Sequence, residues 1–82
     1  MTVGVDVSKD KLDYGTKTTT PRSVDNTPEG ISSLLEDAPP GSVIAMEATG
    51  RYHKLLADTA HLWGFKVVVH NPKDVSKYAK SV

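Results

Sequence analysis

The stretch Thr2-Val3-Gly4-Val5-Asp6-Val7-Ser8 sets an acid among valines. Val3, Val5 and Val7 alternate with Thr2, Gly4, Asp6 and Ser8, and β-branched residues dominate. The segment therefore predicts a strand with one apolar face. A carboxylate in such a setting is costly to desolvate unless a cation or hydrogen-bond donors meet it, so Asp6 asks for a partner.

Outward from this strand, Lys9-Asp10 suits a tight turn, and residues 12–18 predict a second strand with Leu12, Tyr14 and Thr16 on one side. Thr18-Thr19-Thr20-Pro21 holds the next turn, and residues 22–26 predict a short third strand. Three strands this close in sequence form an antiparallel meander. Thr27-Pro28-Glu29-Gly30 reads as a helix start: Thr27 caps, Pro28 takes the first helical position and Glu29 suits the positive end. Ile31, Leu34, Leu35 and Ala38 then recur at helical spacing until Pro39-Pro40-Gly41 stops them. Residues 42–47, SVIAME, predict a fourth strand, apolar enough to be buried on both faces.

Thr49 suits the cap of a second helix, in which Tyr52, Leu55, Leu56, Thr59, Ala60 and Trp63 form one stripe and Gly64 provides the stop. Residues 65–69, FKVVV, predict a fifth strand ended by Asn71-Pro72. Lys73 to Val82 then starts a third helical pattern without a cap or a stop, so a fragment of something longer is expected. Right-handed crossovers through the first two helices set strands four and five parallel to strand one. The expected class is α/β, a mixed five-stranded sheet with flanking helices.

Composition narrows the function classes. The 82 residues suffice for one small domain. Ten basic and ten acidic residues cancel, so net charge argues neither for nor against nucleic acid. The absence of cysteine excludes a disulfide scaffold and thiolate metal sites and fits a cytoplasmic protein. No apolar run approaches the roughly 20 residues of a membrane span, and the first residues lack the pattern of a signal peptide. No membrane partner is expected.

Two acids sit in apolar strands, Asp6 in the first and Glu47 at the end of the fourth. On neighbouring strands they would lie about 4.8 Å apart. Two carboxylates that close repel and raise one pKa unless a cation lies between them. A hard divalent ion, Mg2+ or Mn2+, accepts such oxygen ligands together with water and phosphate, and ligands of open sheets gather beyond the carboxyl ends of the strands. Singly, Asp6 reads as a turn cap and Glu47 as an exposed strand end; as a pair, the metal reading leads.

Ala48-Thr49-Gly50-Arg51-Tyr52 follows Glu47. A glycine there lets backbone approach a ligand, and the start of the next helix would aim free amides at the acids, favouring phosphate. Ser8 and Lys9 would do the same from the other side. This makes Ser8, Lys9, Thr49, Gly50 and Arg51 candidate nucleic-acid contacts, although an ordinary strand-to-helix turn and a solvated turn lysine fit the same residues. Lys73, Lys77 and Lys80 recur at helical spacing, as a phosphate-contacting face or a solvated one. His53 and His61 fall off the apolar stripe and are expected on the surface. His70 ends the fifth strand near the acids, as a plain strand-end histidine or a phosphate contact. Tyr52 and Trp63 are expected in the core.

The blocks VGVDVSKDKLD, NTPEGI, MEATGRY and NP, at these spacings, resemble the DEDD insertion-sequence transposases of the IS110 group, relatives of the Piv-type DNA invertases. The resemblance runs the length of the chain, and MEATG followed by an aromatic is its most specific piece. It implies an N-terminal domain similar to the RuvC junction resolvase, with a ribonuclease-H-like fold in the strand order 3-2-1-4-5, here truncated at its C-terminal side. It also implies that Asp6 and Glu47 are the first two acids of a catalytic Asp-Glu-Asp-Asp set. The other two are expected as a D-x-x-D pair past Val82. Asp74, with Lys77 three residues on, does not match that pair, and Asp58 lies at the wrong place. The implied partners are DNA, a structured guide-like RNA and further copies of the full-length protein, which would carry a second domain with a serine nucleophile. The fragment alone is expected to be inactive and to bind magnesium weakly. Two other readings remain open from the residues: a phosphate-binding hairpin of an actin-like ATPase or sugar kinase, and a non-catalytic docking domain.

Overall fold

The computed structural model describes residues 1–71. Its elements run β1 (Thr2–Val7), β2 (Lys11–Gly15), β3 (Arg22–Asp25), α1 (Pro28–Asp37), β4 (Val43–Glu47), α2 (Lys54–Leu62) and β5 (Lys66–His70). The third helical pattern, with Lys73, Asp74, Lys77 and Lys80, lies outside the described residues. The five strands form one sheet in the order β3-β2-β1-β4-β5. The β1–β2 and β2–β3 pairs are antiparallel, and the β1–β4 and β4–β5 pairs parallel.

The meander follows from its turns. Ser8 closes the first one: its hydroxyl accepts from the Lys11 amide at 3.2 Å and donates to the Lys11 carbonyl at 3.0 Å. The second strand stops at Gly15, three residues before the pattern predicts. The Thr16 amide donates instead to the Thr19 hydroxyl at 2.9 Å, a local side-chain bond that competes with the ladder. Helix α1 begins as read: the Thr27 hydroxyl accepts from the Gly30 amide at 3.1 Å, and Pro28 sits in the first turn.

Val3, Val5, Val7, Leu12, Tyr14, Ile44 and Met46 of the sheet meet Ile31, Leu34 and Leu35 of α1 and Leu56 and Ala60 of α2 in one core. Both helices cover the same face. The chain steps in one direction across the sheet through both crossovers, β3 to β4 and β4 to β5, so right-handed connections put both helices on one side. This overturns the expectation for the fourth strand. Ile44 and Met46 are buried, whereas Val43 and Ala45 are only half-buried and Glu47 is exposed. Among the described residues nothing packs on the opposite face.

The second helix also departs from its pattern. It starts at Lys54, not after Thr49, and only Leu56 and Ala60 are buried. Tyr52 is 39% exposed and Trp63 45%, so neither is core. Residues 50–53 are a turn, which removes Tyr52 from the helical stripe. A helix of nine residues then touches the sheet along one narrow seam, leaving Leu55, Leu62 and Trp63 outside it. Gly64 ends the helix as predicted, with a positive φ of 87°.

At the far edge the Tyr14 hydroxyl donates to Asp37 Oδ2 at 3.1 Å, and Arg22 Nη1 reaches the same oxygen at 3.3 Å. Burial first, and the bond to Asp37 second, push the Tyr14 phenol above its ordinary pKa of 10.0. The contribution of the neutral phenol to stability is complete below that ordinary value and is lost as pH rises through the raised one. Tyr14→Phe is expected to cost about 1 kcal/mol at neutral pH and to flatten the alkaline loss of stability. Urea melts of both chains at neutral and alkaline pH measure this; an equally steep alkaline loss in the variant refutes the coupling.

Candidate functional site

The open face carries the acids. Each strand alternates, so the residues that do not enter the core share the other side. Asp6 lies opposite Asp13 on β2, and Asp13 opposite Ser23 on β3. On the other side of β1, Val5 pairs with Met46 in parallel; one step further in that register brings Glu47 beside Asp6. Glu47 in turn pairs with His70 on β5. A row therefore runs Ser23, Asp13, Asp6, Glu47, His70 across the sheet, and every member is exposed.

Asp13, Asp6, Glu47 and His70 of this row line a shallow groove of about 650 Å³ whose walls include Gly4, Thr16, Ala45 and Thr49. Small residues, Gly4 and Ala45 beside the acids, keep its floor low. Like charges directly opposite on paired strands destabilise a sheet. Among the described residues neither Asp6, Asp13 nor Glu47 has an ion-pair partner; the two ion pairs found there are Lys11–Asp25 and Arg22–Asp37. The donor set is hard oxygen, which suits a divalent ion of the magnesium class. Among the described residues no three such side chains converge on a single metal position. The pair Asp6 and Glu47 fits such an ion as part of a larger ligand set.

Two segments flank the acids at the carboxyl ends of β1 and β4. The first is the turn after β1. Ser8 is spent on closing that turn, while Lys9 is exposed and has no ion-pair partner among the described residues. The second is the segment after β4. The Ala48 amide donates to the His70 carbonyl at 2.8 Å. The Thr49 amide donates to His53 Nδ1 at 3.3 Å, so His53 is a half-buried brace rather than a surface histidine. His61 is exposed, as expected. The Tyr52 and Lys54 amides close tight turns onto the carbonyls of Thr49 and Arg51 at 3.1 Å and 3.2 Å.

Thr49 therefore does not cap α2, and the helix start does not aim a ring of free amides at the acids. His53 takes the N-cap position, but its side chain caps none of the helix amides. Gly50, at φ 59°, turns the chain, and the amides of Gly50 and Arg51 find no acceptor among the described residues. The Thr49 hydroxyl oxygen is buried and without a partner, on the wall of the groove. An unpaired buried hydroxyl costs about 1–3 kcal/mol. Thr49→Val is thus expected to leave stability unchanged or raise it by up to about 1 kcal/mol, read from denaturant melts. A loss of more than that would show that the hydroxyl is satisfied in solution.

Sequence reasoning missed Asn26. Its side-chain Nδ2 donates to the carbonyls of Ser8 at 2.9 Å and Tyr52 at 3.0 Å, and so bridges the two flanking segments. An Asn immediately before a Thr-Pro helix start was the available signal; the partners lie far away in sequence and were not readable.

Compared with known protein families, residues 3–82 match the DEDD transposase family of the IS110 type, described as a transposase. A comparison with curated proteins finds no match. No helix among the described residues is long and apolar enough to cross a membrane.

Proposed function

Since the chain belongs to the DEDD transposase family of the IS110 type, with the five-stranded order of a ribonuclease-H-like sheet, we propose that it is the opening part of a metal-dependent recombinase catalytic domain. In this reading Asp6 and Glu47 are the first two members of a four-acid set. The single observation that supports it best is the register that puts these two family-matched acids side by side on an open face, neither of them ion-paired among the described residues. The other two acids would come from sequence past Val82, so this piece alone is expected to be inactive and to hold Mg2+ or Mn2+ weakly.

When bound, the ions would supply Lewis-acid stabilisation of a phosphodiester and an activated oxygen nucleophile. The chain's own work is to hold the two carboxylates rigidly on adjacent strands and to present donors around them. Lys9 on one arm and Arg51 on the other are the exposed cations nearest in sequence to the acids, and the free Gly50 and Arg51 amides suit a phosphate oxygen. Ser8 and Thr49 contribute through the shape of those arms. Lys73 and Lys77 are further candidate phosphate contacts on sequence grounds alone. DNA is the substrate. A structured guide-like RNA, assembly with further copies, and action in the cytoplasm of a prokaryotic cell complete the reading.

The phosphate-hairpin alternative, an actin-like ATPase or sugar kinase, has no support. The family matched over residues 3–82 is a transposase family, and the Ser8 hydroxyl is spent on Lys11 within its own turn. The test of the proposal is strand cleavage by the full-length protein on duplex carrying the element's ends, with Mg2+ or Mn2+ present or chelated. Cleavage that persists in chelator, or that ignores Asp6 and Glu47, overturns it.

A further inference from the structure

Resting on the reading above, we propose that Asn26 is a positioning residue, a clamp that sets the two arms around the acid pair relative to each other. The arms leave the sheet separately, one two residues after Asp6 and one shortly after Glu47. Asn26 joins them from a third place, the junction of β3 and α1. One nitrogen, Nδ2, gives one N–H to the Ser8 carbonyl at 2.9 Å and the other to the Tyr52 carbonyl at 3.0 Å. Both partners are acceptors only, which fixes the orientation of the amide. The Asn26 backbone amide adds a third tie, to the Asp10 carbonyl at 2.9 Å.

The clamp is itself anchored. Its predecessor Asp25 pairs with Lys11 Nζ at 2.6 Å, and its successor Thr27 caps α1. Asn is the residue type that satisfies this place. Ser has one donor, Asp has none, and Gln is longer by a methylene. The backbone of the two arms that carry Lys9 and Arg51 is thus held in one relation, which is what positioning of a nucleic-acid backbone requires.

The test compares the unaltered chain with Asn26→Asp, Asn26→Ala and Thr27→Ala. The last loosens the same junction through its helix cap and leaves the clamp intact. Amide nitrogen relaxation should show residues 8–10 and 49–53 becoming mobile together in both Asn26 variants and staying ordered in Thr27→Ala. Should Asn26→Asp fail to fold, Asn26→Ala removes the donors without setting a charge beside two carbonyls and gives the same readout. Arms as ordered in Asn26→Ala as in the unaltered chain, or equally loosened by Thr27→Ala, overturn the clamp. In low salt, duplex DNA affinity should fall about tenfold in the Asn26 variants and stay within about twofold in Thr27→Ala. If the full-length protein with Asn26 unaltered binds no duplex, the recombinase reading fails, and the relaxation data still decide the clamp.

Discussion

Asp6→Asn is expected to raise the melting temperature of the metal-free chain while it abolishes strand cleavage by the full-length protein. The two effects have one origin. Asp6 stands opposite Asp13 and, by register, beside Glu47, three carboxylates in a row, none of them ion-paired among the described residues. Removing the central charge relieves repulsion worth about 0.5 kcal/mol, or about 2–4 °C for a domain of this size. The cost falls on function. A divalent ion held by these oxygens contributes several kcal/mol of charge stabilisation, so losing a ligand should lower cleavage by about a thousandfold or more. Glu47→Gln should behave alike. Calorimetric melts in chelator and a cleavage assay on the same variant read both signs. A lower melting temperature for Asp6→Asn would show that its carboxylate is a structural acceptor, and retained cleavage would remove it from the chemistry.

Gly30→Ala should unfold the chain far more readily than helix propensity allows. Gly30 lies in the first turn of α1, where alanine is ordinarily better by about 1 kcal/mol. A Cβ built there falls inside the contact shell of the Asp25 carbonyl oxygen, 2.9 Å from the Asp25 carbonyl carbon and 3.0 Å from its nitrogen. All of these atoms are backbone, so no side chain can swing away. Relief requires α1 to move off β3, which breaks the Thr27 cap on the Gly30 amide and drags Asn26 from its two carbonyls. The net loss should be about 2–3 kcal/mol, some 15 °C in melting temperature. Urea melts decide the sign: a gain in stability would mean that the helix start does not sit this close to the strand.

The elements themselves were legible because their signals are local. The valine alternation of β1, the Thr27-Pro28 start of α1 and the glycine after α2 each act within a few residues. The acid pair was legible too: Asp6 and Glu47 stand out as carboxylates against apolar flanks. Less local features misled. SVIAME is apolar enough to suggest two buried faces, yet half its residues face the open side. Tyr52 fits a helical stripe that the turn at residues 50–53 breaks before it begins, and Trp63, at the far end of α2, falls outside the helix's narrow seam. Thr49 has the chemistry of a cap and stands where no helix starts.

Pattern and propensity in these 82 residues were enough to settle five strands, two helices between them and two conspicuous acids, since each depends on neighbours along the chain. Tertiary structure alone decided which face of the sheet stays open, because two crossovers stepping the same way must lay both helices on one side. It alone added Asp13 to the acid row, tied the flanking arms through Asn26, and made Gly30 irreplaceable. Those outcomes depend on strand register and on backbone meeting backbone across space, which no local spacing of residues encodes.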